Sequence, residues 1–183
     1  LTRTFPRPGG AAPTWLPGAG PDRPGAGTYR GPHPLSEPET AALDRLFAAQ
    51  RFVAAANLHS FMGTLIPARV TGRRAYSTYR ALCRTFAAAQ PSRRYLHLAS
   101  RTFDTFTGEQ EDHQHHVHGT WAVCVETFPI SASFRQHVRA PSVFWRFNPR
   151  DPTPWVDNDV PGLCAYFDAA LRLDRPDGYD RGA

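Results

Sequence analysis

The sequence predicts an α/β fold, a mixed central β-sheet flanked by helices on both faces, and three observations carry that prediction. The first is the run Phe52-Val-Ala-Ala-Ala-Asn-Leu-His-Ser60, mostly apolar, without Gly or Pro, ending in the polar pair His59-Ser60. The second is Thr120-Trp-Ala-Val-Cys-Val-Glu126, which also closes on a residue able to do chemistry. The third is the tight passage from a helical pattern at residues 36–50 into the first run, a helix-to-strand alternation typical of α/β chains. Apolar runs bounded by turn residues fit strands buried on both faces, as in parallel sheets. Ligands in such sheets sit at the carboxyl ends of the strands. His59 and Glu126 are therefore expected at one end of the sheet, on strands that are neighbours or nearly so. The plain alternative for His59 is a strand-terminal histidine bonded to a loop.

A chain of 183 residues is long enough for one domain with a core, and 41% hydrophobic with 20% charged residues is ordinary for a globular protein. The net charge of +5 comes entirely from arginine, since lysine is absent. Arg73-Arg74 and Arg93-Arg94 are doublets rather than a basic run, and no nucleic-acid-binding motif accompanies them. They read as solvated surface, with neither a nucleic-acid nor a membrane partner. No apolar run has the length of a membrane span. Leu1-Thr-Arg-Thr-Phe-Pro6 is neither a signal nor a transit peptide, which leaves cytoplasmic and secreted locations both open. The sole methionine is Met62, so a chain starting at Leu1 reads as a processed or truncated piece, or as the product of a non-ATG start. Cys83, Cys124 and Cys164 lack disulfide or zinc-ribbon spacing and are expected to behave as small buried hydrophobes.

Taken in order, residues 1–34 are rich in Pro and Gly and form an irregular loop. Ser36-Glu-Pro-Glu39 opens a helix, with Ser36 as cap and Glu39 three residues on. Ala42, Leu43, Leu46 and Phe47 supply its apolar face. Thr64-Leu-Ile-Pro67 is a second short run after the His59 strand. Arg74 to Ala89 is helical, with Tyr76, Tyr79, Leu82, Cys83 and Phe86 on one side and Pro91 as the stop. Tyr95 to Ala99 is a weak strand, residues 101–119 are polar, and residues 130–154 are loop-like. A last helix runs from about Asp157 to Leu173, with Pro161 in its first turn and Val160, Leu163, Cys164, Phe167, Ala170 and Leu171 at helical spacing. Asp174 to Ala183 is a frayed tail.

In this order the elements resemble the zinc carboxypeptidases of the carboxypeptidase A type (the M14 peptidases). The resemblance rests on Tyr29-Arg-Gly-Pro-His-Pro-Leu-Ser-Glu-Pro-Glu39, on Asn57-Leu-His59-Ser60, on Cys124-Val-Glu126, and on Thr2-Arg3-Thr4-Phe5-Pro6. The last looks like the family's Asn-Arg-Asn segment with both asparagines replaced. The resemblance implies zinc-dependent hydrolysis of C-terminal residues from peptides or proteins. It makes His59 the later zinc ligand, Glu126 the general base, and Arg3 the clamp for the substrate's terminal carboxylate, with Ser60 lining the site. A guanidinium fork matches a planar carboxylate bidentately, which suits Arg3 to that part. Counting back from Glu126, Glu111 falls where the family reads the substrate's last side chain. A carboxylate there favours C-terminal Arg or Lys.

Some of the family pattern is missing. No His-x-x-Glu occurs in the chain, so only one zinc ligand is recognisable, and Phe103-Asp-Thr-Phe106 stands where the family carries a tyrosine. The chain accordingly reads as the C-terminal portion of a single M14-type domain, its N-terminal half missing, inactive by itself. A non-catalytic relative that kept the fold and lost the metal is the alternative. A third reading makes His113, His115, His116 and His118 a metal-binding module in their own right. Against it, Glu109, Glu111 and Asp112 with those histidines read as a short solvated helix. The oligomeric state is not specified by the sequence.

Overall fold

The structure, a computed structural model, describes residues 5, 24, 25, 29, 31–98, 108–128, 138–140 and 142–176. Among them four strands, β1 (Ala54–Ser60), β2 (Thr64–Pro67), β3 (Leu96–His97) and β4 (Trp121–Thr127), form one sheet in the order β1-β4-β2-β3. β1 runs parallel to β4, β2 antiparallel to β4, and β3 parallel to β2. The helices are α1 (Pro38–Gln50), α2 (Arg73–Ala89), α3 (Gln110–His116), α4 (Val143–Phe147) and α5 (Thr153–Ala170). The mixed sheet with helices on both faces is the architecture the sequence predicts.

β4 is the buried centre, with Trp121 to Val125 all buried. Side chains alternate along a strand, so the two faces separate by residue. Trp121, Val123 and Val125 join Tyr79, Leu82, Cys83 and Phe86 of α2 and Tyr166 and Ala170 of α5 in the main core. Cys124 and Glu126 point the other way, with Asn57 and His59 of β1, toward α3. The expectation that the His59 strand is buried on both faces fails. β1 is an edge strand among the described residues, and its Leu58 is 58% exposed.

α2 keeps the apolar face its spacing predicts, with Tyr79, Leu82, Cys83 and Phe86 buried. α1 departs from expectation at its start and on its face. Its N-cap is Glu37, and Pro38 occupies the first helical position, where a missing N–H costs nothing. Ser36 Oγ donates to Glu37 Oε1 (3.1 Å) instead of capping. Leu43 and Leu46 stay exposed, because α1 meets the described chain through Phe47, packed on Phe52 and His118, and through Asp44 one turn earlier.

α5 begins at Thr153, so Pro161 lies inside it rather than in its first turn. Its most buried line is Asn158, Gly162, Tyr166 and Ala170, an i, i+4 ladder, and of the expected apolar set Ala170 is buried while Leu163 and Phe167 pack half-buried against the core. Val160, Cys164 and Leu171 are exposed, and Cys164 is not the buried hydrophobe anticipated. Two features turn the helix this way. Asn158 Oδ1 accepts from the Ser92 N–H (3.1 Å), the Ser92 hydroxyl (2.8 Å) and the Arg93 N–H (2.7 Å), holding the chain after α2 against α5. Gly162 lets the Phe86 ring lie where a Cβ would stand 2.7 Å from Cε1.

Gly162→Ala is therefore expected to destabilise the fold by about 1–3 kcal/mol, although alanine in an exposed helix interior stabilises by about 1 kcal/mol. Urea unfolding decides; a more stable Gly162→Ala protein would show that Phe86 moves aside freely.

The segment before α5 is not all loop, since Val143–Phe147 makes a short helix capped by Ser142, whose Oγ accepts from the Trp145 N–H. Arg175, expected in a frayed tail, is bonded to three backbone carbonyls. No helix among the described residues is long and apolar enough to cross a membrane.

Candidate active site

The parallel register sets His59 opposite Glu126 and Ser60 opposite Thr127. Thr127 Oγ1 donates to the His59 carbonyl (2.9 Å), fixing the two strand ends against each other. Thr64 of the antiparallel neighbour β2 faces Glu126 from the other side. Both chemically able strand ends thus meet at one edge of the sheet. Glu126 Oε2 is buried without a hydrogen-bond partner among the described residues, an unusual state for a carboxylate oxygen. Burial raises the Glu126 pKa, and a hydrogen bond from the Met62 backbone opposes the rise. Ser60 is half-buried beside His59.

Asn57 lies two residues before His59 and so on the same strand face. Its Nδ2 is 3.1 Å from His59 Nε2 and donates to Glu111 Oε1 at 2.8 Å. The amide therefore joins α3 to the strand end that carries His59. Glu111 is 7% exposed, and burial pushes its carboxyl up to about 7, assisted by the charges of Asp112 and Glu126 and opposed by the Asn57 hydrogen bond. Glu111 lies on the same side of the sheet as Glu126. Asp112 is not a second carboxylate of the same kind, because it accepts from the Arg69 N–H (2.6 Å) and pairs with its guanidinium (3.5 Å).

α3 corrects the reading of a solvated acidic and histidine-rich segment, since Glu111 through His116 are all buried. Glu111, Asp112, His113, His115 and His116 each find a distant partner. His115 Nδ1 lies 2.9 Å from the Tyr79 hydroxyl, and His116 Nε2 donates to the Arg69 carbonyl (2.7 Å). His113 and His118 both reach Asp44 Oδ1 at 2.7 Å. Burial would raise the Asp44 pKa, but the hydrogen bonds and charges of the two histidines outweigh it and hold the carboxyl below its usual range. The four histidines therefore do not act as one group. Asn57 was legible as a same-face neighbour of His59, whereas nothing local in the sequence marks Asp44. Arg3 and Phe103–Phe106 lie outside the described residues.

The family model for zinc carboxypeptidase (peptidase M14) matches residues 11–137. No curated protein matches the sequence. Among solved structures, the carboxypeptidase A from Helicoverpa armigera is 14% identical, with a TM-score of 0.59, over 93% of this chain and 41% of that one. Bovine thrombin-activatable fibrinolysis inhibitor, solved with tick carboxypeptidase inhibitor, is 14% identical (TM-score 0.60; 79% of this chain, 49% of that one). A structure of thrombin-activatable fibrinolysis inhibitor by itself is 15% identical (TM-score 0.62; 94% and 42%). At such identities the likeness establishes the fold. The chain spans less than half the length of each of these proteins.

Proposed function

The chain belongs to the zinc carboxypeptidase family, and from that premise we propose that it carries the His59–Glu126 part of a centre that removes C-terminal residues from peptides. The observation that carries the reading is the register: two strands place an imidazole and a carboxylate side by side at one sheet edge, the carboxylate with an orphaned buried oxygen.

Catalytic zinc takes three protein ligands and keeps one position open. The described residues would supply one corner of such a centre, His59 as a ligand and Glu126 as the base beside it. They do not make the whole of it, because no His-x-x-Glu pair occurs in the sequence. When bound, zinc supplies a polarised water and a Lewis acid for the scissile carbonyl. Glu126 Oε2 accepts the proton from the attacking water, and its raised pKa brings it nearer to the working pH of a general base. The same carboxyl returns that proton to the leaving amine. Asn57 packs beside the ring, its Nδ2 3.1 Å from His59 Nε2. Ser60 lines the site beside His59. Arg3 clamps the terminal carboxylate of the peptide, and Glu111 reads its last side chain.

By itself the 183-residue chain is expected to show no appreciable peptidase activity and no zinc held through His59, for want of the other ligands. Supplied with a His-x-x-Glu half, fused or in trans, it is expected to release C-terminal residues from peptides. Metal analysis of the chain against its His59→Ala variant, with a C-terminal release assay, tests this. A metal-loaded assembly that binds peptide C-termini without cleaving them would favour a non-catalytic domain of the same fold.

A further inference from the structure

We infer that Asp44, His113 and His118 form a binding site for Zn2+ or a zinc-like first-row divalent cation, with solvent completing the coordination. The site uses none of the residues assigned to peptide hydrolysis and does not depend on that reading. It gathers three donors from two separate parts of the chain. Asp44 comes from the middle of α1, His113 from α3, and His118 from the turn that leaves α3. Both histidines direct Nε2 at the same carboxylate oxygen, each at 2.7 Å. All three donor atoms lie within 4.8 Å of one another. Two imidazoles and one carboxylate are a donor set that suits zinc and its first-row neighbours. Bonds of about 2.0–2.1 Å in tetrahedral geometry separate ligand atoms by about 3.3 Å. The two contacts need open by only about half an ångström to admit the ion.

The donors are held from outside the cluster, which is what a site requires if binding is not to cost the ordering of its ligands. Phe5 stacks on His113 with ring centroids 5.1 Å apart, and Phe47 packs against His118 at 5.9 Å. The turn that brings His118 back toward α1 depends on Gly119, at φ +60°, where L side chains are disfavoured. The Arg175 guanidinium then closes the arrangement. It donates to the carbonyls of His118, of Gly119 (3.2 Å) and of Arg51 (2.7 Å), tying the turn after α3 to the end of α1.

The cluster is reachable. The Asp44 side chain is 26% exposed while His113 is 3% exposed, so an ion arrives from the carboxylate side. His118 also borders a groove of about 460 Å³ shared with Phe47 and Arg175. Binding there cross-links α1 to α3, the helix that carries Glu111. An ion that binds only the folded chain raises its melting temperature in a concentration-dependent way.

The test uses the 183-residue chain stripped with chelator and titrated with Zn2+ and with Co2+. The chain and its His59→Ala variant are each expected to bind one equivalent, with a visible d–d spectrum for Co2+ and a melting temperature raised by several degrees with Zn2+. Asp44→Asn, which keeps the acceptor for both histidines, and His118→Gln are expected to bind at least tenfold more weakly while retaining the far-UV circular dichroism of the parent. X-ray absorption on zinc-loaded His59→Ala is expected to show two imidazoles with oxygen donors, a readout that needs no further variant to fold. Absence of stoichiometric binding overturns the site. So does affinity unchanged in both variants, or binding lost in His59→Ala, or an absorption spectrum without two imidazoles.

Discussion

Glu126→Gln, in a chain supplied with a His-x-x-Glu half, is expected to lower kcat/KM by about 10²–10⁴-fold, the usual worth of a positioned general base, with zinc content unchanged. The substitution is close to isosteric, so packing against Thr64 and the register with His59 should survive it. What it removes is the ability to take a proton at Oε2, the buried oxygen that has no hydrogen-bond partner among the described residues. A buried carboxylate oxygen left without a donor costs stability, and a water bound there would offset that cost. Burial also raises the Glu126 pKa. Because the ionised form is the active one, the acidic limb of the kcat/KM profile should lie above that of an ordinary carboxylate, and activity should rise with pH through that limb. Stopped assays across pH, with metal analysis of the same samples, make the measurement. Turnover retained in Glu126→Gln would remove this residue from proton transfer, and loss of zinc together with turnover would make its part structural.

Much of the sheet was legible in the sequence because its strands are apolar runs that end in polar residues. Trp121 to Val125 is an unbroken apolar run, and only the packing of Trp121, Val123 and Val125 in the core tells its two faces apart. α2 was equally plain, since four of the five residues expected on one side, Tyr79, Leu82, Cys83 and Phe86, are the ones buried, with Tyr76 half-buried beside them. α3 was not, and the reason is physical. A helix built from Glu111, Asp112, His113, His115 and His116 looks solvated, and it is buried only because its polar atoms meet Asn57, Arg69, Asp44 and Tyr79. Those partners lie tens of residues away, and hydropathy cannot register them. The face of α5 is legible only in part: Leu163, Phe167 and Ala170 meet the core as their spacing predicts, but an amide and a glycine also fit against α2 and the segment that follows it. Similarly, Arg175 reads as tail in sequence and acts as a clamp in space, because its partners are carbonyls that carry no residue signature.

Glu111→Gln is expected to stabilise the fold by up to roughly 3 kcal/mol at pH 8 and by little at pH 4, with the difference growing between about pH 4.5 and 7. The carboxyl is raised from its ordinary 4.5 to about 7, with burial the largest cause. The folded chain therefore binds that proton more tightly than the unfolded chain does. Stability associated with it is complete below the unfolded pKa, declines as pH rises toward 7, and is gone above. Glutamine carries no charge to bury at any pH and keeps an Oε1 to accept from Asn57, so it is spared the decline. Urea unfolding of both proteins at pH 5 and pH 8 reads the effect directly, and a gap that does not widen with pH would mean that Glu111 ionises without cost. The same ionisation governs its proposed part in selectivity. A C-terminal arginine or lysine entering beside Glu111 brings the positive charge that the buried carboxylate lacks, and it gains most where that carboxylate is ionised. In the completed chain, the ratio of kcat/KM for peptides ending in Arg over those ending in Phe should rise as pH passes through 7, and Glu111→Gln should flatten it. A flat ratio in the parent protein, together with the expected stability gap, would place Glu111 as a buried partner of Asn57 that the substrate never meets.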